Sequence, residues 1–471
     1  MDKYFLNFVE EVPKYIQVAK HIKKLIDEGN IKDGEKLPPI RSLANALNVN
    51  NVTIVNAYKK LQTEGYATQK MGSGTYAKRK DIHKKFKRDY AETFKRINNS
   101  SALNNFIDFT GETACGDFFP IETFKIILNQ VLDRDGAEAL IYQESSGYEG
   151  LRKSISQYFW QGRLNKDDIL VVSGAQQGID IVSKAILNVN DNVVVEKPTY
   201  GGALSVFNWR RVNVFEVSME DDGINIEELE KILKKNYIKC FYLMSYFQNP
   251  TGVSYSLEKK LRILELAEEY DFYIIEDDYL SELIYNPQIK YESFKSLDKN
   301  DRVIYIKSFS KIFLPGIRLG YLISPKEISE QIQNSKVNTD ISTSSLMQRA
   351  LDIYIHEGYW KNHIKELTQI YSERNAFMDK CIQEIIGSKV LYKNPGGGLN
   401  FYIKIADEVS INCIKLFYEC RKNKVIITPG VMFHKNVENG MKYFRLGFSQ
   451  IGNDKIKNGI EVINNILLRS N

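Results

Sequence analysis

Between residues 169 and 323 the chain repeats one pattern, a short unbroken apolar run followed by a stretch with helical spacing. Ile169-Leu170-Val171-Val172 precedes a helix from about Gln176, and Asn192-Val193-Val194-Val195-Glu196 follows it. Then come Cys240–Met244, a helix over Leu257–Tyr270, Tyr273–Glu276, Val303–Ile306 and Leu319–Ile323. Strands that are apolar throughout leave no face for water, so this alternation predicts an α/β fold. Its sheet should be mostly parallel and covered by helices on both faces. From near Gln348 a long helical pattern and short strands at Leu399–Ile405 and Lys442–Phe448 predict a smaller α+β subdomain, about residues 348–471.

The 471 residues leave room for more. At roughly 100–200 residues per domain, two to four domains fit. Near Pro13 a helical spacing begins at Tyr15, Ile16, Ala19, Ile22, Leu25 and Ile26, with Gly29 as its stop. After Leu37-Pro38-Pro39, a short helix over Ile40–Leu47 turns inward Ile40, Leu43, Ala44 and Leu47. The turn Asn48-Val49-Asn50 leads to a second helix, about Asn51 to Thr63, whose spacing predicts burial of Val52, Val55, Tyr58 and Leu61. Two short helices across a tight polar turn predict a helix-turn-helix. Residues 66–70 and 74–77 can pair across Met71-Gly72-Ser73 as a β-wing. Charge agrees: residues 1–100 hold 20 Lys/Arg and 11 Asp/Glu, net +9, while the rest holds 44 and 48, net −4. A basic head on a mildly acidic body meets a polyanion, unless its lysines cluster by chance. Residues 78–105 read as a basic flexible linker, so the expected domains are 1–77, 78–105 and 106–471.

Gly34-Glu35-Lys36-Leu37-Pro38, Arg41-x-Leu43-Ala44, Val49-x-x-x-Thr53, Ala57-Tyr58-x-x-Leu61, Glu64-Gly65-Tyr66 and Gly72-Ser73-Gly74-Thr75 resemble the winged helix-turn-helix of GntR-type regulators. The resemblance implies contacts to double-stranded operator DNA from Arg41, from Asn50, Asn51 and Thr53 opening the recognition helix, and from Lys70, Ser73 and Thr75 on the wing. The chain departs from the pattern at Asn50-Asn51, where the family often has Ser-Arg. Losing a guanidinium there changes which base or phosphate is reached.

Five motifs fall at predicted strand ends, where open α/β sheets bind ligands. Ser173-Gly174-Ala175-Gln176-Gln177 offers backbone N–H groups at a helix start, an anion seat. Lys197-Pro198-Thr199-Tyr200 offers an aromatic face, and Asn249-Pro250-Thr251-Gly252 an amide. Asp277-Asp278-Tyr279 supplies a carboxylate and a phenol. Ser308-Phe309-Ser310-Lys311 supplies an amine, with Arg318 seven residues on. Singly each is also an ordinary turn or solvated loop. Jointly they supply what pyridoxal 5'-phosphate requires: a phosphate seat, a stacking ring, a partner for the pyridinium nitrogen, donors to the phenolic oxygen and an imine-forming lysine.

Together they resemble fold-type I pyridoxal-phosphate enzymes of the class I/II aminotransferase type. The resemblance implies that Lys311 forms the internal aldimine and Asp277 pairs with the pyridinium nitrogen. Asn249 and Tyr279 would bond the phenolic oxygen and Tyr200 would stack on the ring. Ala175, Gln176, Ser308 and Arg318 would hold the phosphate. Tyr142 would reach the phosphate of a partner subunit, implying a homodimer, and Arg445 would grip an effector carboxylate.

Other classes are poorly served. No apolar run approaches the ~18–20 residues of a membrane span, and the amino terminus lacks the order of a signal peptide. Five scattered cysteines without a CxxC pair point to free thiols in a reducing cytoplasm. The five histidines have no metal-ligand spacing, so no metal is expected. A GntR-like head on an aminotransferase-like body resembles the MocR subgroup of GntR regulators. That resemblance implies a regulator of transcription that senses the cofactor, or a small amine or amino-acid effector, at Lys311, with its standing as an enzyme left open down to a residual transaminase half-reaction. The sequence leaves two alternatives open: a working aminotransferase with an accessory DNA-binding head, and a cofactor-free dimerisation scaffold.

Overall fold

The structure, a computed structural model, describes residues 2–6, 8–10, 12–27, 30–32, 34–70, 73–78, 86, 88–93 and 106–470, with only the backbone of Asp2, Asp27 and Lys70. It divides into two units, Met1–Ser101 and Ala102–Asn471.

The first unit holds helices α1 (Lys14–Asp27), α2 (Ile40–Ala46) and α3 (Asn51–Thr63). Val18, Ile22 and Ile26 of α1 share one core with Leu43, Ile54 and Leu61. Asn48 takes a left-handed φ of 50° in the turn. Next to it Asn50 caps α3, its Oδ1 accepting from Val52 N at 3.0 Å. Such a cap satisfies an amide that the helix leaves unpaired. Asn50→Ala is expected to lower the unfolding free energy of this unit by about 1 kcal/mol, measured by urea denaturation; an unchanged midpoint would remove the cap's role. The expected inner face of α3 needs correcting. Val52 is 60% exposed and Val55 half-buried, whereas Ile54, Ala57, Tyr58 and Leu61 are buried. Residues three apart drift by about 60° around a helix with each step, while positions 54, 57, 58 and 61 keep to one face.

Strands β1 (Ala67–Lys70) and β2 (Gly74–Ala77) form the wing, antiparallel from Ala67 opposite Ala77 to Lys70 opposite Gly74. The segment Glu35–Leu37 lies along β2, with Leu37 N donating to Thr75 O at 2.9 Å and Ala77 N to Glu35 O at 2.8 Å. This overturns one expected DNA contact. Strand alternation turns Thr75 inward with Ala77, leaving it 9% exposed. The Lys70 side chain, Met71, Gly72 and Gly29 lie outside the described residues. So do 79–85, 87 and 94–105 of the expected linker; within that stretch residues 88–93 are helical and Phe86 is buried.

The second unit opens with β3 (Ile107–Asp108). Its main sheet comprises β4 (Ile169–Val172), β5 (Asn192–Lys197), β6 (Asn213–Glu220), β7 (Gly223–Ile224), β8 (Cys240–Leu243), β9 (Tyr273–Asp278), β10 (Val303–Ser308) and β11 (Gly320–Ile323). The spatial order is β4-β11-β10-β9-β8-β5-β6-β7. The run from β10 to β6 is parallel, and β11 is antiparallel to both neighbours. Every residue of β4, β8, β9, β10 and β11 is buried, which is why these strands read as unbroken apolar runs. In β6, near the sheet edge, buried and half-exposed residues are interspersed, so no such run marked it.

The smaller sheet comprises β12 (Val390–Tyr392), β13 (Asn400–Ile405), β15 (Thr428–Pro429) and β16 (Tyr443–Gly447), ordered β12-β13-β16-β15 and antiparallel. The strand β14 (Val425–Ile426) pairs instead with β3. Among the described residues no helix is long and apolar enough to cross a membrane. None of their His, Cys, Asp and Glu side chains group as a metal site.

Candidate active site

Strand alternation separates two adjacent carboxylates. β9 runs two residues beyond Glu276, so Asp277 and Asp278 point to opposite faces of the sheet. Asp278 is fully committed: it accepts from Lys307 Nζ at 3.0 Å, Tyr305 OH at 2.7 Å, Tyr291 OH at 2.8 Å and Ser281 Oγ at 2.8 Å. Asp277 is half committed. Its Oδ2 accepts from Tyr242 OH at 2.7 Å, while its buried Oδ1 has no partner. Burial pushes its carboxyl up to about 6, against the opposing bond from Tyr242. A buried acceptor without a donor is costly, and the protonated nitrogen of a pyridinium ring would satisfy it. The residues present therefore fit pyridoxal phosphate.

Lys311, just past β10, donates from Nζ to Glu112 Oε2 at 2.9 Å. Asn249, in the turn following β8, donates from Nδ2 to Glu112 Oε1 at 3.3 Å and accepts on Oδ1 from Arg445 Nη1 at 2.8 Å. Arg445 on β16 is 2% exposed and also donates from Nη1 to Glu112 Oε1. Its Nη2 donates to Thr110 O at 3.2 Å and Thr428 Oγ1 at 3.3 Å. Lys311, Asn249 and Arg445 are thus drawn together around one carboxylate that the sequence did not single out.

The anion seat forms where β4 meets the helix Ala175–Ile186. Gly174 caps that helix at φ +89°, and a Cβ there would sit 3.1 Å from Arg318 Nη2. Arg318 Nη2 in turn donates to Ser173 O at 3.0 Å. The Tyr200 hydroxyl lies 3.4 Å from Gln176 Oε1. Its ring folds back over Gly202, where any Cβ would meet it at 2.4 Å. Ser308 is buried, and its Oγ accepts from Ser310 N at 3.3 Å.

Two expected positions stand apart. The Tyr279 hydroxyl donates to Phe247 O at 2.6 Å, a correction, because its hydrogen is committed to a carbonyl presented by a left-handed turn (Phe247 φ 48°). Tyr142 is 78% exposed. Sequence reasoning missed Glu112 and Tyr242. Glu112 lies in a loop without periodicity, and Tyr242 reads as one more apolar strand residue.

On the first unit, Arg41, Asn50, Asn51 and Ser73 are exposed and Thr53 is half-buried. Asn50 Oδ1 is spent on the cap, leaving only its amide nitrogen for a ligand. Val52, missed as a surface residue, is exposed on the same first turn of α3 as Asn51.

The titration of Asp277 has a measurable consequence. Burial also pushes Glu196 up to about 8 and Glu276 up to about 7. A carboxyl with a folded pKa above its unfolded value binds a proton that the unfolded chain has released. Stability from these groups therefore falls as pH rises through about 4 to 8. A pyridinium N–H on Asp277 rewards its ionised form. The rise in melting temperature caused by pyridoxal phosphate is expected to be larger at about pH 8 than at about pH 5, and flattened in Asp277→Asn. An equal rise at both pH values would detach Asp277 from the cofactor.

Residues 119–463 match the family of class I and II aminotransferases, and residues 14–77 match the gntR family of bacterial regulatory proteins. Aromatic-amino-acid aminotransferase 1 of Thermococcus litoralis is 31% identical over 369 residues, spanning 76% of this chain and 87% of that one. The uncharacterized HTH-type transcriptional regulator YdfD of Bacillus subtilis is 27% identical over 470 residues, 96% of each chain. Among solved structures, kynurenine aminotransferase of Pyrococcus horikoshii, crystallised with PMP, superposes at a TM-score of 0.75. It shares 30% identity, over 81% of this chain and 94% of that one.

Proposed function

The chain belongs to the class I and II aminotransferase family, and because a GntR-family domain precedes that body, we propose that it is a DNA-binding transcription regulator gated by a ligand at Lys311. The aminotransferase family uses pyridoxal phosphate, which when bound supplies an electrophilic carbon for amines and an electron sink. The observation that carries the reading is the half-satisfied, buried Asp277, whose carboxyl feels the charge of Lys311.

In this reading Asp277 Oδ1 holds the proton on the ring nitrogen, and Asn249 Nδ2 faces the phenolic oxygen. Ala175, Gln176, Ser308 and Arg318 seat the phosphate, and Tyr200 covers the ring. Lys311 Nζ would hold the cofactor, and Arg445 orients an incoming amine through its carboxylate, a charge-assisted pair. Ligand binding then biases two states of the body, and a few kcal/mol of differential affinity is enough to shift their populations. The preferred ligand is a small amino acid, or the cofactor itself.

A homodimer suits this reading. Leu140, Ile141 and Tyr142 are consecutive and 67%, 51% and 78% exposed, an apolar run that a second copy would cover. Operator contacts fall to Arg41, Asn51, Ser73 and the remaining donor of Asn50, with Val52 available to a thymine methyl group. Thr53 and Lys70 complete the proposed set. A cytoplasmic location follows from the same role.

The test is a mobility-shift titration on DNA upstream of the encoding gene, with the holoprotein and a panel of amines and amino acids. One ligand class should change the apparent affinity; no response from any would defeat the sensor reading. The 31% identity to an aromatic-amino-acid aminotransferase favours a second reading, an active transaminase with an accessory DNA-binding head. Sustained turnover on the order of 1 per second or more with a keto acid would establish it.

A further inference from the structure

Glu112 lies between the two cations that the proposed ligand must engage. Its Oε2 accepts from Lys311 Nζ at 2.9 Å, and its Oε1 accepts from Arg445 Nη1 and from Asn249 Nδ2, the latter at 3.3 Å. These are the amine, the carboxylate grip and the phenolic-oxygen donor of the site. We infer that Glu112 is an internal competitor for the ligand's carboxylate, seated on Arg445 until a ligand that brings its own carboxylate displaces it.

Arg445 is 2% exposed, and a buried guanidinium without an anion is strongly unfavourable, so something anionic must sit on it in every state. Glu112 can fill that role as a charge. Burial alone would raise its carboxyl, but Arg445 and Lys311 hold it well below the usual carboxylate range. It is also replaceable. Glu112 reaches the guanidinium through Nη1 alone, divides its oxygens between two cations, and loses one of them when Lys311 becomes covalently engaged. A free carboxylate can approach in the stronger two-point manner. The device also sets selectivity. An amine without a carboxylate leaves Glu112 on Arg445, whereas an amino acid releases it.

This inference rests on Arg445 being the carboxylate grip, and one experiment separates the two claims. Calorimetric titration of the holoprotein with 3-phenylpropionate, a carboxylate that has no amine to react at Lys311, reads occupancy of Arg445 without turnover. Its uncharged amide serves as the reference. Glu112→Gln is expected to bind the carboxylate about tenfold or more tightly than the parent, because a competitor present most of the time lowers apparent affinity by the fraction left free. Glu112→Ala should do the same, and affinity for the amide should not change. Retention of the cofactor's visible absorption checks that each variant is folded. Unchanged or weaker carboxylate binding in both variants, with Arg445→Gln abolishing it, would overturn the competitor role and leave the grip intact. Undiminished binding in Arg445→Gln would overturn both.

Discussion

Lys311→Ala is expected to abolish covalent retention of pyridoxal phosphate and with it any response to amines. The parent, reduced with borohydride and digested, should carry the cofactor on the peptide containing Lys311; the variant should carry none and lose the visible absorption. The expected effect is complete because Lys307, four residues before it on β10, is held elsewhere. Lys307 is buried on the face that Asp278 occupies, opposite Asp277. There it donates to Asp278 at 3.0 Å, Ser281 Oγ at 2.9 Å and Glu282 at 2.7 Å, a network that leaves it no freedom to cross the sheet. The fold should survive, since Lys311 is only half-buried and Glu112 keeps Arg445 and Asn249 as partners. Retained colour and a labelled peptide elsewhere would refute the assignment of Lys311.

The second large effect concerns DNA. Arg41→Ala is expected to weaken operator binding by about 10- to 100-fold per head, the range for losing one well-placed guanidinium contact. Arg41 is exposed at the start of α2, so its removal leaves the Leu43 and Ala44 packing untouched and should not unfold the unit. Salt distinguishes its roles. Affinity of the parent should fall steeply between about 50 and 200 mM salt. A phosphate contact at Arg41 would make that slope shallower by about one in the variant, whereas a base contact would leave the slope unchanged and relax sequence preference. Tight binding by Arg41→Ala that is also insensitive to salt would show that this basic unit does not dock on DNA through α2.

Much of the fold was legible because its signals are local. Unbroken apolar runs marked the fully buried strands, and three- and four-residue steps marked α1 and both helices of the helix-turn-helix. The failures have local causes as well. Val52 and Val55 mimic a helical face at a spacing of three, and β6 does not read as a continuous apolar run. The motif residues were legible in the same way: a small-residue turn at Gly174, a carboxylate pair after β9 and a lysine after β10 each sit at a strand end.

What the chain could not state by itself is which residues meet across it. Asp277 and Asp278 are equivalent as neighbours; only the docking of Tyr242 on one face and of Lys307, Tyr291 and Tyr305 on the other leaves Asp277 with an open oxygen. Thr75 looked like a wing-tip residue until Leu37 paired with its carbonyl. Glu112 carried no signal at all, because its partners lie 199 and 333 residues away and meet it only once β3, the main sheet and the smaller sheet have closed together. Sequence alone determined the fully buried strands, the helix-turn-helix, the order of the two family domains and most of the chemical groups, since periodicity and turn chemistry depend on adjacent residues. The tertiary structure alone decided which of those groups are free to act and which are held, because hydrogen-bond partners and burial are properties of contacts between distant segments.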